Sequence, residues 1–247
     1  MQDSSVTRAL RILDLIAHAG KPLTLKHIAE VLDIPRSTAH GILRDLTRER
    51  FVETGEPAAY TIGIKAFEVG AAHLRVAGVG GVIAVELVRL TDALDITAHY
   101  AVLDGTEAVY LYKQDPPGLG VQLASSVGAR LPAHLTAVGK CCLAWLHPRD
   151  LAAHVAPAVR EGPDGDAVLA ALTDELAKVR ERGYATDHGQ VAGGVECLAA
   201  PVFDTSGVKG AVGISYLRGA EARAGEATEQ VRQTAARLTS MFGGNNQ

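Results

Sequence analysis

TLKHIAEVLDIPRSTAHGILRDLTRERFVETGEPAAY, residues 24–60, holds two apolar-periodic segments joined by a short break, then two short apolar runs around a turn. The pattern predicts a helix, a turn, a second helix and a two-stranded wing. In the second segment, a helix over 36–50 puts Ala39, Ile42, Leu43 and Leu46 at i, i+3, i+4 and i+7, one stripe that packs. At about 100° per residue, Ser37, His40, Gly41, Arg44 and Arg48 fall on the opposite side. A helix entering a DNA major groove needs such a face. Small residues allow close approach, hydrogen-bonding groups meet base edges, and Arg meets phosphate or guanine. Pro35 suits the first turn, and Ser37 and Thr38 suit a phosphate at the helix N-terminus. An ordinary solvated helix has the same two faces; the helix-turn-helix spacing and the following wing favour DNA. The expected DNA-facing set is Thr24, Arg36, Ser37, Thr38, His40, Gly41, Arg44 and Arg48. Ser37, His40 and Arg44 are expected on bases, Thr38 and Arg48 on the backbone.

Charge limits this reading. The 247 residues carry a net charge of −4, which argues against a nucleic-acid binder if taken alone. Residues 1–63 hold eight Lys/Arg and eight Asp/Glu, so the remainder carries the whole deficit, while 35–50 hold four basic to two acidic residues. Phosphate contacts supply much of the affinity for DNA. One such lightly charged unit binds weakly, so a homodimer or homotetramer presenting several copies is expected.

The rest of the chain divides around this unit. Residues 6–19 form an amphipathic helix with Val6, Ala9, Leu10, Leu13, Ile16 and Ala17 apolar, stopped by Gly20 and Pro22. Thr24 caps the next helix, 25–32. Residues 54–59, with Gly55 and Pro57, read as the wing tip. A connecting helix follows over 64–75, with Ile64, Phe67, Ala71 and Leu74 on one side, then a glycine-containing hinge over 77–81 and a helix over 82–94. From residue 96 short β-rich runs appear at 96–102, 108–112, 121–124, 184–186, 198–203 and 208–215. Helices at 136–146, 151–155, 166–182 and 221–242 are interleaved with them, and 243–247 read as frayed. The mixture indicates an α+β domain with an antiparallel sheet. The expected boundaries are 1–63, a linker helix and hinge at 64–79, and 80–247. At 47% hydrophobic and 4% aromatic the core must be largely aliphatic. Three cysteines without CxxC spacing, no signal-peptide core at the N-terminus and no long uncharged apolar stretch fit a reducing cytoplasm, with no membrane span.

Several segments together resemble the IclR family of bacterial transcriptional regulators. They are VTRALRILDLIA (6–17), LTLKHIAEVLDIPRSTAHGILRDLTRERFVE (23–53), LPAHLTAVGKCCLAWL (131–146), RERGYATDHGQVAGGVECLAAPVFD (180–204) and GAVGIS (210–215). The resemblance implies a winged helix-turn-helix joined by a linker helix to a profilin- or GAF-like effector domain. It also implies double-stranded operator DNA and a small organic acid as partners, with repression as the expected outcome. It places the acid pocket at Thr136, Ala137, Val138 and Gly139, and adds Asp187, Cys197, Gly213 and Ser215. The residues agree with this placement. Thr136 suits the cap of a helix whose first amides, beside small side chains, are expected to face outward to a carboxylate. Gly213 is expected to enlarge the pocket. Gln190 stands where the family often has Glu.

Other readings compete. Cys141 and Cys142 are adjacent on a helix and point apart, which disfavours a disulfide or a metal clamp. His134 with Cys141 makes only a weak nucleophile pair, and Asp187-His188 lacks a third metal ligand. An enzyme using Cys197 or Asp187, or a thiol redox sensor using Cys141 or Cys142, is the alternative. Neither has a persuasive base–nucleophile–orienter set, so no catalytic residue, metal or cofactor is expected.

Overall fold

The computed structural model describes residues 3–55, 58–76, 80–118, 125–155, 159, 162–219 and 224–244. The chain separates into two compact units, residues 1–78 and 79–247. Among the described residues no helix is long and apolar enough to cross a membrane.

In the first unit, α1 (Ser5–His18) is capped by Ser4, whose hydroxyl accepts the Thr7 N–H. Its inward face is Ile12 and Ile16, supported by Leu13 and Leu15. Val6 and Leu10, expected on the packing stripe, are instead 69% and 61% exposed. Helices α2 (Leu25–Val31) and α3 (Arg36–Arg48) close a small core around Ile28, Leu43 and Val52. Strands β1 (Leu23–Thr24), β2 (Val52–Gly55) and β3 (Ala59–Ile62) form an antiparallel wing sheet in the order β1-β3-β2. Positions 56–57 of the expected wing tip lie outside the described residues. Helix α4 (Ile64–Val76) follows. The side expected to pack is exposed at Ile64 (45%) and Phe67 (69%). Ala71 is half-buried, and the side chain at 74 lies outside the described set, as do residues 77–79 of the expected hinge.

The second unit is built on a six-stranded antiparallel sheet. Its strands are β4 (Thr97–Asp104), β5 (Glu107–Gln114), β6 (Arg130–Pro132), β7 (Ala185–His188), β8 (Val195–Asp204) and β9 (Gly207–Leu217), in the order β6-β5-β4-β9-β8-β7. Strand β6 has no alternating signal of its own and was not expected; it exists through its pairing with Glu107, Ala108 and Val109 of β5. The run expected at 121–124 lies outside the described residues. Helix α5 is Gly80–Leu94 and α6 is Ala137–Ala144. The expected helix at 151–155 starts earlier, as α7 (Pro148–Leu151), because His147 caps it and Pro148 takes its first turn; a 3₁₀ turn, Ala152–His154, completes it. Helix α8 is Gly165–Arg182, ended by Gly183 at φ +78, and α9 is Ala224–Met241. Residues 221–223 lie outside the described set. In the expected frayed tail, Gly243 bridges back to Asp204, and 245–247 are outside the described residues.

Strand alternation decides which helix covers which face. Ala101, Ala199 and Ala211 join the core cluster of α6 and α8. Their neighbours Tyr100, Ala200 and Val212 are equally buried and face the opposite way, where α5 and α9 pack. The buried Glu86 carboxylate ties those two helices together, accepting from Arg89 and Arg237 at 2.7 Å each.

Candidate functional site

Two sets of side chains stand out, one in each unit. In the first, Pro35 is the N-cap of α3, one position before the expected first turn, with extended backbone and no side-chain cap. Ala39 and Leu43 are fully buried, and Ile42 and Leu46 pack beside them. This orientation leaves Arg36, Ser37, His40, Arg44 and Arg48 exposed and Thr38 and Gly41 half-buried. Among the described residues the side chains of Arg36, Ser37 and His40 make no hydrogen bond, so their donors and acceptors are spare. Arg44 pairs with Asp45 at 3.4 Å, and Arg48 with Asp45 and Glu49 at 3.2 Å each. The two arginine side chains are 69% and 66% exposed. Such pairs contribute ~0–1 kcal/mol, so a phosphate can displace them. A Cβ on Gly41 would meet nothing within 4 Å, so internal packing does not require glycine there. Thr24 differs from this group. Its hydroxyl caps α2 by accepting the His27 N–H at 3.3 Å, and its backbone pairs with Ala59.

In the second unit the strand register assembles a small cavity. Asp187 of β7 lies opposite Cys197 of β8, which lies opposite Ser215 of β9. Three adjacent strands thus deliver one polar row to one face. The Cys197 thiol and Ser215 hydroxyl are 3.1 Å apart. Thr136 comes from the start of α6, and Tyr110, Ser125, Leu131, Val191, Ala192 and Val195 complete the lining. The free space is about 30 Å³. Asp187 is buried, and its Oδ1 accepts the Gln190 N–H at 2.7 Å. Burial raises its pKa above the usual carboxylate range, against the opposing pull of that hydrogen bond and the Lys140 charge. The Ser125 hydroxyl is buried with no partner among the described residues.

Ala137, Val138 and Gly139 are buried, and none of the three is among the residues that line this cavity. Thr136 does cap α6, but its hydroxyl takes up the Gly139 N–H at 3.1 Å. Gly139 is small for an internal reason: a Cβ there would stand 2.2 Å from the Ala133 carbonyl oxygen. Gly213 does not enlarge the cavity either. A Cβ on it would meet the Leu198 carbonyl oxygen at 2.9 Å and Ala199 and His99 Nε2 at 3.0 Å, so neighbouring backbone and side chains already fill the space. His99 is fully buried and stacks near Tyr110, with ring centroids 5.1 Å apart. Burial pushes its pKa down to about 3, so it is neutral at ordinary pH. His99, Tyr110, Ser125, Val191, Ala192 and Val195 were missed from sequence: inward-facing strand positions look alike until the strands are paired, and the loop positions 125, 191 and 192 carry no periodic signal.

Burial disfavours the thiolate form of all three cysteines. Cys141 and Cys142 are fully buried, and Cys141 donates to the Ala199 carbonyl at 3.2 Å. Burial pushes Cys142 up to about 12 and Cys197 up to about 11, so both remain protonated. Asp187 and His188 alternate on β7. The first is buried, and the second is exposed and 3.0 Å from Glu196. No group of three His, Cys, Asp or Glu among the described residues could hold a metal ion.

Known proteins match both units. Residues 5–56 match the IclR helix-turn-helix domain, and residues 71–240 match the bacterial transcriptional regulator IclR C-terminal domain. The HTH-type transcriptional regulator XynR of Escherichia coli (strain K12) is 34% identical over 255 residues, spanning 97% of this chain and 97% of that protein. The transcriptional repressor IclR of the same strain is 30% identical over 218 residues, spanning 82% of this chain and 76% of its own. A crystal structure of an IclR homologue from Microbacterium hydrocarbonoxydans, complexed with 4-hydroxybenzoate, shares the fold. It aligns with a TM-score of 0.79 at 21% identity over 97% of this chain and 99% of that one. A winged helix-turn-helix followed by an α+β domain, matched along nearly its whole length, makes this chain a member of the IclR family of bacterial transcriptional regulators, which are not enzymes.

Proposed function

We propose that this chain is an operator-binding repressor, active as a homodimer or homotetramer and controlled by a small organic acid. The observation that carries the reading is the pair of sites. One is an exposed helix face with unspent polar groups at Arg36, Ser37 and His40. The other is a buried cavity where β7, β8, β9 and the start of α6 bring Asp187, Cys197, Ser215 and Thr136 together. On α3 we assign base contacts to Ser37, His40 and Arg44, with Gly41 permitting close approach and Arg36, Thr38 and Arg48 meeting the backbone. Thr24 is assigned an indirect part through the cap of α2.

The positive end of α6 and the Thr136, Ser125 and Ser215 hydroxyls favour a carboxylate. Asp187, when ionised, is an acceptor only and calls for a hydroxyl on the ligand. A hydroxylated acid satisfies both ends, and 4-hydroxybenzoate, bound by the Microbacterium protein, belongs to that class. About 30 Å³ accommodates ~1–2 waters, so an acid must push the walls apart. Binding is thereby linked to a change of shape. Coupling of about 1–3 kcal/mol gives a roughly 5–150-fold change in operator affinity. Val6 and Leu10 on α1, with Phe67 and Val69 on α4, are exposed apolar side chains suited to contact with a second copy. Helix α4 is read as the linker between residues 1–63 and the effector domain from 80 onward.

The test begins with duplex selected from a random pool by the full-length chain. Its affinity is then measured by fluorescence anisotropy with hydroxylated and plain carboxylic acids. At least one acid should weaken binding, and Asp187→Asn or Ser215→Ala should blunt that response while DNA binding persists. Failure to enrich any duplex, or indifference to every acid, rejects the reading.

A further inference from the structure

A larger cavity, about 230 Å³, lies between the start of α6 and the middle of α8. It shares no lining residue with the Asp187 cavity. Two buried polar side chains line it. Lys140 is 6% exposed and His134 is 8% exposed. The Lys140 ammonium has three protons to donate. One goes to the Thr186 carbonyl at 3.0 Å and one to Gln190 Oε1, both uncharged acceptors. No third hydrogen bond is found among the described residues. His134 Nδ1 is likewise buried and has no partner among the described residues. The Glu175 carboxylate also lines the cavity, and Arg182 engages it at 2.7 Å. The apolar part of the wall is Leu135 with Val168, Ala171 and Leu172 of α8.

We propose that this cavity is a second ligand site, taking a small monocarboxylate with an apolar body. One carboxylate oxygen accepts from the free proton of Lys140, the other accepts from His134 Nδ1–H, and the body lies against Val168 and Leu172. Burial and the Lys140 charge both lower the His134 pKa, which favours the neutral ring, and one neutral tautomer carries its proton on Nδ1. The Asp187 and Glu175 carboxylates act on Lys140 through space, but its direct partners are neutral, so its remaining proton can still meet an anion. Gln190 forms the shared partition. Its backbone N–H serves Asp187 in the first cavity, and its side chain serves Lys140 in the second. An acid on Lys140 therefore acts on the same residue that orients Asp187.

The experiment is methyl NMR of the full-length protein, titrated separately with sodium acetate, butyrate and benzoate. Val168 and Leu172 report this cavity; Val191, Ala192 and Val195 report the first. At least one salt should shift the Val168 and Leu172 signals saturably. Ala171→Trp, at an exposed position on the rim, should abolish those shifts and leave any response of Val191, Ala192 and Val195 intact. Lys140→Met should weaken the response at least tenfold, with folding checked by circular dichroism. Silence at Val168 and Leu172 with all three salts overturns the proposal, as does a response that survives Ala171→Trp. If Lys140→Met fails to fold, the Ala171→Trp result decides alone. Because the two cavities have separate reporters, an acid seen only at Val191 and Ala192 would refute the second site without touching the first.

Discussion

Helices α3 and α6 are the two helices on which the sequence places binding residues, yet they end in opposite conditions. Helix α3 buries one stripe and leaves the groups of its other face unpaired or in weak exposed pairs. Helix α6 buries all eight of its residues, and its cap and its lysine are engaged inside the fold. The difference teaches where each unit meets its partner. A surface that binds a large, charged, external molecule keeps its polar groups in water until contact. A site for a small molecule keeps them inside, oriented by neighbours, with a few left unsatisfied.

The contrast is sharpest at the two helical glycines. In α6, Gly139→Ala places a methyl 2.2 Å from the Ala133 carbonyl oxygen. The backbone must shift, so urea denaturation should show a loss of about 3 kcal/mol, the upper end of ordinary overpacking. A neutral result would mean that the close approach at α6 is not required. Next in size is Arg44→Ala on α3. Its removal should weaken operator binding by about 1–3 kcal/mol, as for a lost bidentate base contact. Stability should stay within ~0.5 kcal/mol of the parent. Unchanged DNA affinity would break the assignment of α3 as the reading face.

Thr136→Ala should cost ~1 kcal/mol of stability, the usual worth of an N-cap, measurable in the same denaturation series. Gly41→Ala is the counterpart of Gly139→Ala. With nothing within 4 Å of the new methyl, it should stabilise by roughly 0.5–1 kcal/mol, while DNA affinity falls. A loss of stability there would show that α3 is packed more tightly than its surface indicates.

The smallest effect concerns Asp187, whose folded pKa is raised by burial. The native state then holds this proton more firmly than the unfolded chain does. Stability contributed by the protonated form is lost as pH rises from the unfolded value, ~4, through the raised folded value. Asp187→Asn lacks this titration and can still accept from the Gln190 amide. The stability difference between parent and variant should therefore move against the parent as pH rises from ~4 and level off once Asp187 is ionised in the fold. A pH-independent difference would mean that Asp187 is better solvated than its burial implies.

The first unit was readable because its determinants are local. A 3.6-residue period fixes which side of α3 packs, and Ala39 and Leu43 do pack. The caps at Thr24 and Thr136 follow from side chains three residues from their amides. The order of most strands and helices in the second unit follows from turns and alternation. Even the first unit had a local ambiguity. Val6 and Leu10 carry the right period on α1, but of that stripe Ile16 is the residue fully in the core, and Ile12 from the adjacent stripe joins it. Periodicity names a stripe without saying which of two adjacent stripes meets the neighbour.

What the sequence determined by itself was the helix-turn-helix, the wing and a resemblance to the family, and that resemblance is what placed Thr136, Asp187, Cys197 and Ser215 near one another. Only the tertiary structure decided what those residues face. It buried Ala137, Val138 and Gly139, packed Leu198, Ala199 and His99 against Gly213, added Tyr110 and Ser125 to the cavity and brought Lys140 to Gln190. The reason is the range of the interactions. Helical period and capping act over three or four residues and are written in the order of the chain. Cross-strand register brings together residues 18 positions apart, as for Cys197 and Ser215, and helix packing brings together residues 50 positions apart, as for Lys140 and Gln190.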